Sequence, residues 1–208
     1  MGGAIIAYLP LLVNLTNKEI IIIGGGKVAE RRLRQLLEYK QSITVVSPTL
    51  TDTMKEIVTI NNIKWTNEPF KKEDVENADL IIAATNNEGI NDEIIKQAPK
   101  KAWINAAHHG EKGTVYFPIT LQRGRLQIAI STGGASPLLA KRIKKQIDLQ
   151  FPDDYETYID FLFEAREIIK KLDMDKKEKH RLLKDIVQNP IYDKKAQKTF
   201  IKSLKKQM

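Results

Sequence analysis

From residue 1 to about residue 110, short aliphatic runs alternate with amphipathic stretches, the rhythm of βαβ units around a parallel sheet. Strands are predicted at Glu19–Ile23, Ile43–Val46, Ile63–Thr66, Leu80–Ala84 and Ala102–Asn105. Helices are predicted between them at Lys27–Glu38, Leu50–Thr59 and Asn91–Gln97, with Asn91 or Asn87 available as the cap of the last. From Gly113 the rhythm changes. Thr114–Pro118 and Leu126–Ser131 read as two further strands joined through Gln122, Arg123 and Gly124. Ser136-Pro137 then supplies a cap and a first-turn proline, opening a helix through about Leu149. After Phe151-Pro152 come three more helical patterns, Asp154–Leu172, Lys176–Gln188 and Pro190–Lys206, with no strand signal among them.

The expected fold is therefore α/β: a Rossmann-type parallel-sheet domain over residues 1–112, a short β/α linking segment over 113–150 and an all-helical domain over 151–208. A chain of 208 residues is long enough for this. The longest aliphatic runs, around Ile20–Ile23 and Leu80–Ala84, are of strand length and far short of a membrane span. Residues 1–8 are apolar but lack a basic leader and a cleavage site, and Gly2 lacks the Ser or Thr of a myristoylation signal. The chain is accordingly expected to be soluble and cytoplasmic, with no membrane partner. It has no cysteine, which excludes disulfides, thiolate metal sites and a Cys nucleophile. The net charge of +8 suggests nucleic acid until it is located: residues 141–208 hold 18 basic and 12 acidic residues, leaving +2 for the first 140. Acids interspersed among the lysines read as solvated helix faces or, alternatively, as a surface that attracts an anionic ligand or partner, and no nucleic-acid partner is expected.

The sharpest chemical signal is Ile20-Ile21-Ile22-Ile23-Gly24-Gly25-Gly26-Lys27-Val28-Ala29-Glu30, a buried strand running through glycines into a helix. Gly24 permits the tight turn, Gly26 lets backbone N–H groups approach a pyrophosphate, and Ala29 lets the helix pack close to the sheet. Gly24, Gly25, Gly26, Lys27 and Val28 are thus candidate dinucleotide ligands. A P-loop is excluded, because Lys27 is followed by Val28 and not by Ser or Thr. The second strand ends in Ser47-Pro48-Thr49, with neither the acid that holds a ribose 2′-OH nor an arginine for a 2′-phosphate. Ser47, Pro48 and Thr49 are placed beside the adenosine, and the preference for NAD over NADP is expected to be modest. The loop after the fourth strand offers Thr85 and Asn86 to the same ligand.

The fifth strand delivers Asn105-Ala106-Ala107-His108-His109-Gly110 to the same edge. Adjacent histidines on a loop are ordinarily exposed polar residues; beside a dinucleotide crevice they become candidates for proton transfer. Ser131-Thr132-Gly133-Gly134-Ala135-Ser136-Pro137 ends at another helix N-terminus, with Lys141 and Arg142 one turn on. It is either a bare cap or an anion site. No metal-ligand set is read from these residues.

Taken in order, several segments resemble the precorrin-2 dehydrogenase family and the matching portion of siroheme synthases. They are Tyr8-Leu9-Pro10-Leu11-Leu12-Val13-Asn14-Leu15, Gly24 to Arg32, Ile82-Ala83-Ala84-Thr85-Asn86, Asn105 with its loop, Phe117-Pro118, and Ser131 to Ala140. The resemblance implies NAD-dependent oxidation of precorrin-2 to sirohydrochlorin on the way to siroheme. It also implies a homodimer built through the middle segment, and in some members insertion of ferrous iron. Precorrin-2 is an eight-carboxylate macrocycle, and Asn105, Ser136, Lys141 and Arg142 are the expected substrate contacts. Where the family commonly carries an aspartate associated with proton handling and metal insertion, this chain has His108. Dehydrogenation with His108 as the base is expected, and chelation is put in doubt. A non-catalytic NAD-sensing regulatory domain shares the glycine motif, but predicts an acid after the second strand and no Ser-Thr-Gly-Gly-Ala-Ser-Pro segment. An NADP-dependent carbonyl reductase would need a Tyr-x-x-x-Lys pair that the chain lacks.

Overall fold

The computed structural model describes residues 8–39 and 42–208. The apolar opening weighed against a signal peptide, except Tyr8, and the Gly2 position lie outside them. Two compact units divide after Phe117.

The first unit is built on β1 (Ile20–Ile23), whose four isoleucines are all buried. A strand covered on both faces has no reason to alternate with polar residues. It lies at the centre of a five-stranded parallel sheet, in the order β3 (Lys64–Thr66), β2 (Ile43–Val46), β1, β4 (Leu80–Ala83), β5 (Trp103–Ala106). Ile20 pairs with Ile43 on one side and Leu80 on the other. Helices α1 (Lys27–Leu37), α2 (Asp52–Ile60) and α3 (Glu88–Gln97) provide the crossovers. Ala29, Leu33 and Leu36 of α1 and Met54, Ile57 and Val58 of α2 cover one face of the sheet. Val75, Ala78 and Ile94 cover the other. The Thr51 hydroxyl accepts from Met54 N to start α2, and the Asn87 side chain accepts from Ile90 N to start α3. Of the two asparagines offered as caps, Asn87 is the one used, so α3 begins three residues before the predicted start.

Residues 114–118 do not form the predicted strand. Thr114 N and Val115 N both donate to Ile104 O, and Ile104 N donates to the Thr114 hydroxyl. That is one point of attachment to β5, not a ladder, and Pro118 has no N–H to extend it. Val115 and Phe117 instead pack on the core of the first unit. The division therefore falls after Phe117, beyond the expected break at residue 112.

In the second unit, β6 (Ile119–Arg123) and β7 (Leu126–Ile130) form an antiparallel hairpin, with Gly124 at φ +54° in its turn. The first strand of the predicted pair thus lies five residues later than its pattern suggested. Helix α4 (Pro137–Gln150) follows, then α5 (Tyr155–Lys171), α6 (Lys176–Gln188) and α7 (Lys194–Lys205). Arg123, only 14% exposed, ties the hairpin to the end of α4: its guanidinium donates to Phe151 O at 2.9 Å and pairs with Asp148 and Asp153. The last three helices share a core of Tyr158, Phe161, Ala165, Ile169, Ile186, Ile201 and Leu204. Inside it the Tyr158 hydroxyl donates to Ile186 O at 2.9 Å. The whole +8 belongs to this unit, with 20 basic against 12 acidic residues over 118–208; the first 117 residues are neutral.

Candidate functional site

In the order β3-β2-β1-β4-β5 the chain's direction of travel reverses between β1 and β4, and open α/β sheets bind ligands beyond the carboxyl ends of the strands at such a point. Three loops meet there: Gly24–Gly26 after β1, Ser47–Thr51 after β2 and Ala84–Asn87 after β4.

The glycines have three different jobs. Gly24 has φ +123°, and a Cβ on it would collide with Ala84 O. A Cβ on Gly25 would collide with Thr49 O and crowd Ser47 Oγ, and Gly25 O accepts from Thr51 N. Gly26 has an ordinary φ of −86°, yet nothing lies within 4 Å of where its Cβ would be. It is the N-cap of α1, and no side chain caps that helix. Free N–H groups at a positive dipole end, with open space in front of them, are what a pyrophosphate requires. The residues present therefore fit a dinucleotide, whose phosphates would meet Gly26 and the amides at Lys27 and Val28. Ala29, fully buried, gives α1 its close approach to the sheet. Lys27 is exposed and lines an open groove along α1 with Arg31 and Arg34.

The flanking candidates divide into side chains that hold the loops and side chains left free. Ser47 is buried, its hydroxyl donating to Thr49 O at 2.8 Å, while Trp65 Nε1 donates to Ser47 O. Ser47 thus shapes the turn that presents Pro48 and Thr49, both exposed, beside the glycine loop. Thr85 is likewise committed: its hydroxyl donates to Asn91 Oδ1 at 2.8 Å and its N–H to the same oxygen at 3.1 Å. Asn91 Nδ2 returns a bond to Thr85 O. Asn86 stays exposed. Asn91 is thus a site-building residue that motif reading passed over as a possible cap; its signal was a polar residue on the buried stripe of α3.

Asn105 is 3% exposed and donates through Nδ2 to Val115 O, leaving Oδ1 buried without a partner. It anchors the segment after β5 from inside. His108 is exposed and has no hydrogen-bond partner among the described residues. His109 is held by Glu88, and their hydrogen bond raises the imidazole and lowers the carboxyl from their ordinary values. Arg32 was not singled out from the sequence. Its half-buried guanidinium lies over the Phe117 ring at 4.7 Å and donates to Gln35, and burial, with the neighbouring Arg31 charge, lowers its pKa to about 10. Among the described residues no three His, Asp or Glu side chains are arranged to hold a metal ion, and no helix is long and apolar enough to cross a membrane.

In the second unit, Ser136 caps α4: its hydroxyl accepts from Leu139 N at 3.1 Å. Thr132 braces the turn, accepting from Ser136 N and donating to Ser136 O. Gly133 at φ +59° and Gly134 at φ +86° have open space where their side chains would be. Lys141 and Arg142 are exposed one turn into the helix.

An NAD(P)-binding family model matches residues 11–119, a model of the sirohaem biosynthesis protein central region matches 123–148, and one of the SirC C-terminal domain matches 155–200. The precorrin-2 dehydrogenase of Priestia megaterium is 33% identical over 177 residues, covering 85% of this chain and 88% of that protein. That of Bacillus subtilis (strain 168) is 35% identical over 158 residues, covering 76% of this chain and 98% of the relative. The chain belongs to the precorrin-2 dehydrogenase family. A solved structure of SirC, precorrin-2 dehydrogenase, superposes with a TM-score of 0.81 at 31% identity, covering 96% of this chain and all of the other. The siroheme synthase of Pseudoalteromonas translucida (strain TAC 125) is 33% identical over 146 residues, which are 31% of that longer protein. The family resemblance first read from scattered motifs thus extends over both units, and the cofactor is NAD.

Gly26→Val should abolish NAD binding in titration calorimetry while leaving the urea midpoint near that of the parent, because the side chain enters open space that only the ligand needs. Gly24→Ala should lower stability by more than the ~1–3 kcal/mol of a strained backbone position alone, because its Cβ would also collide with Ala84 O. If Gly26→Val binds NAD as the parent does, the pyrophosphate lies elsewhere.

Proposed function

We propose that this chain oxidises precorrin-2 to sirohydrochlorin, with the hydride passing to NAD, as a step toward siroheme. One observation carries the reading: in a chain that aligns with 88% of a precorrin-2 dehydrogenase, an uncapped helix N-terminus lies behind an open Gly26 at the reversal point of the sheet. Anaerobic mixing of precorrin-2 and NAD with the protein should produce NADH and sirohydrochlorin absorbance together. No NADH formation would end the proposal.

NAD, when bound, accepts the hydride. The chain's own tasks are to hold the phosphates at Gly24–Val28, seat the adenosine against Pro48 and Thr49, and take up the proton that leaves the macrocycle. His108 is the general base in this reading. It stands on the loop at the carboxyl end of β5, exposed and uncommitted, and imidazole as a class accepts protons near neutrality. His108→Ala should lower turnover by about 10², the usual size of such an effect, without changing NAD affinity. Full turnover of that variant from pH 6 to 8 would make His108 a bystander. Where the family's aspartate offers a charged oxygen, a neutral imidazole nitrogen must compete with protons for an entering Fe²⁺, so iron insertion should be much slower than NAD reduction.

The carboxylates of the substrate are assigned to the basic second unit, at Lys141 and Arg142 behind the Ser136 cap, with Asn105 holding the β5 loop in shape. Because the Ser136 hydroxyl is spent on Leu139 N, the cleaner test is Lys141→Glu with Arg142→Glu. This pair should raise the substrate KM at least tenfold and leave NAD affinity unchanged; loss of NAD binding with substrate binding intact would reverse the assignment.

The reading also includes a cytoplasmic homodimer formed through residues 113–150. Helix α4 buries only Ala140 and leaves Leu138, Leu139 and Leu149 exposed at 77%, 48% and 80%, an apolar surface that supports a contact with a second copy. Sedimentation should give twice the 23.7 kDa chain mass, reduced to the monomer by Leu138→Glu with Leu149→Glu.

A further inference from the structure

Beside β4 and β5 lies a group of charged side chains that neither the glycine loop nor the core requires. His109 Nε2 meets Glu88 Oε1 at 2.5 Å, and its Nδ1 lies 3.5 Å from Glu111 Oε1. Three residues beyond His109, Lys112 Nζ donates to Asp92 Oδ1 at 2.6 Å. Glu88 and Asp92 are four apart in α3 and share a face of it, while His109 and Lys112 come from one short loop. Either exposed pair alone would restrain little, but two links between the same two elements restrain the loop jointly. The rest of the loop is held by the Tyr8 hydroxyl, which donates to Gly110 O at 3.3 Å, and by the Tyr116 ring packed against Gly110. The first turn of α3 is itself tied through Asn91 to Thr85, so the loops after β4 and β5 form one connected body.

We propose that His109 is a positioning residue: clasped by Glu88 and Glu111, it fixes the loop after β5 against α3 and so holds its neighbour His108 in place at the carboxyl edge of the sheet. The proposal rests on the reading of His108 as proton acceptor. It also gives the adjacent histidines separate tasks, one committed to α3 and the other exposed.

The clasp depends on charge. The hydrogen bond to Glu88 raises the His109 imidazole, partial desolvation opposes this, and of the remaining neighbours Lys112 lowers it and Glu111 raises it. The hydrogen bond from His109 lowers the Glu88 carboxyl. A raised imidazole means that the restraint is present at lower pH and is lost as pH rises through the raised value. A lowered carboxyl means that it is also lost as pH falls through the Glu88 value. Between these limits both partners are charged.

The test combines a double-mutant cycle with an NMR titration on the full chain. His109→Ala and Glu88→Gln should each lower kcat five- to tenfold, with the calorimetric NAD affinity and the urea midpoint little changed, and the double variant should lose no more than either single one. His109→Gln, which keeps a donor to Glu88, should recover part of the loss at neutral pH and flatten the alkaline fall of kcat. In the parent the His109 imidazole should titrate above an ordinary histidine, and in Glu88→Gln it should return to the ordinary range. Unchanged kcat in His109→Ala, losses that multiply in the double variant, or an ordinary His109 titration in the parent would each overturn the proposal. If His108→Ala keeps full turnover, the His108 reading fails and the positioning role fails with it; a cycle that stays non-additive beside an inactive His108→Ala upholds both.

Discussion

The candidate site depends on how closely one backbone can approach another at the end of β1. Gly24 lies against the Ala84 carbonyl and Gly25 against the Thr49 carbonyl, so the loops after β2 and β4 close around the glycine loop with no room for a side chain at either position. Only this closeness brings three separate loops to one ligand. Gly26 then faces outward in an ordinary conformation, and no protein atom fills the space where its side chain would be, which is the space the proposed phosphate site needs. The same residue type serves packing at two positions and leaves open space at the third.

Around that constraint the polar side chains are spent mostly on holding loops. Ser47, Thr85, Asn91 and Asn105 all lie in or beside the elements at the carboxyl edge of the sheet, and each bonds to the protein. The geometry is thereby prepared before any ligand arrives, which is where binding energy is most easily lost if left to induced order. The groups left uncommitted are few: the first turn of α1, Pro48 and Thr49, Asn86, and His108. The partition of charge follows the same economy. The first unit, which matches the NAD(P)-binding family model, is neutral, while the second unit carries all of the net positive charge.

The nucleotide fold was legible in the chain because its signals are local. Four isoleucines in a row, three glycines and an alanine five residues beyond the first glycine specify a buried strand, a tight turn and a close-packed helix wherever they occur. The helical second half was legible for the same reason, from Asp, Ser and Pro at helix starts and apolar residues at a period near 3.6. Family membership followed from the order of these segments, and it extends over both units.

What the tertiary structure alone decided were the partnerships between residues distant in sequence. Residues 114–118 have the composition of a strand, but whether a strand forms depends on a neighbour to pair with, and Ile104 offers a single carbonyl. His108 and His109 are indistinguishable as a dipeptide; Glu88, some twenty positions earlier, separates them by claiming one. Asn91 reads as a cap until β4 and α3 are folded together, when it becomes the brace of Thr85. Sequence by itself determined the elements and the chemistry at the glycine turn, because those rest on near neighbours. Which polar groups remain free to act is set by hydrogen bonds that exist only after the chain has closed on itself.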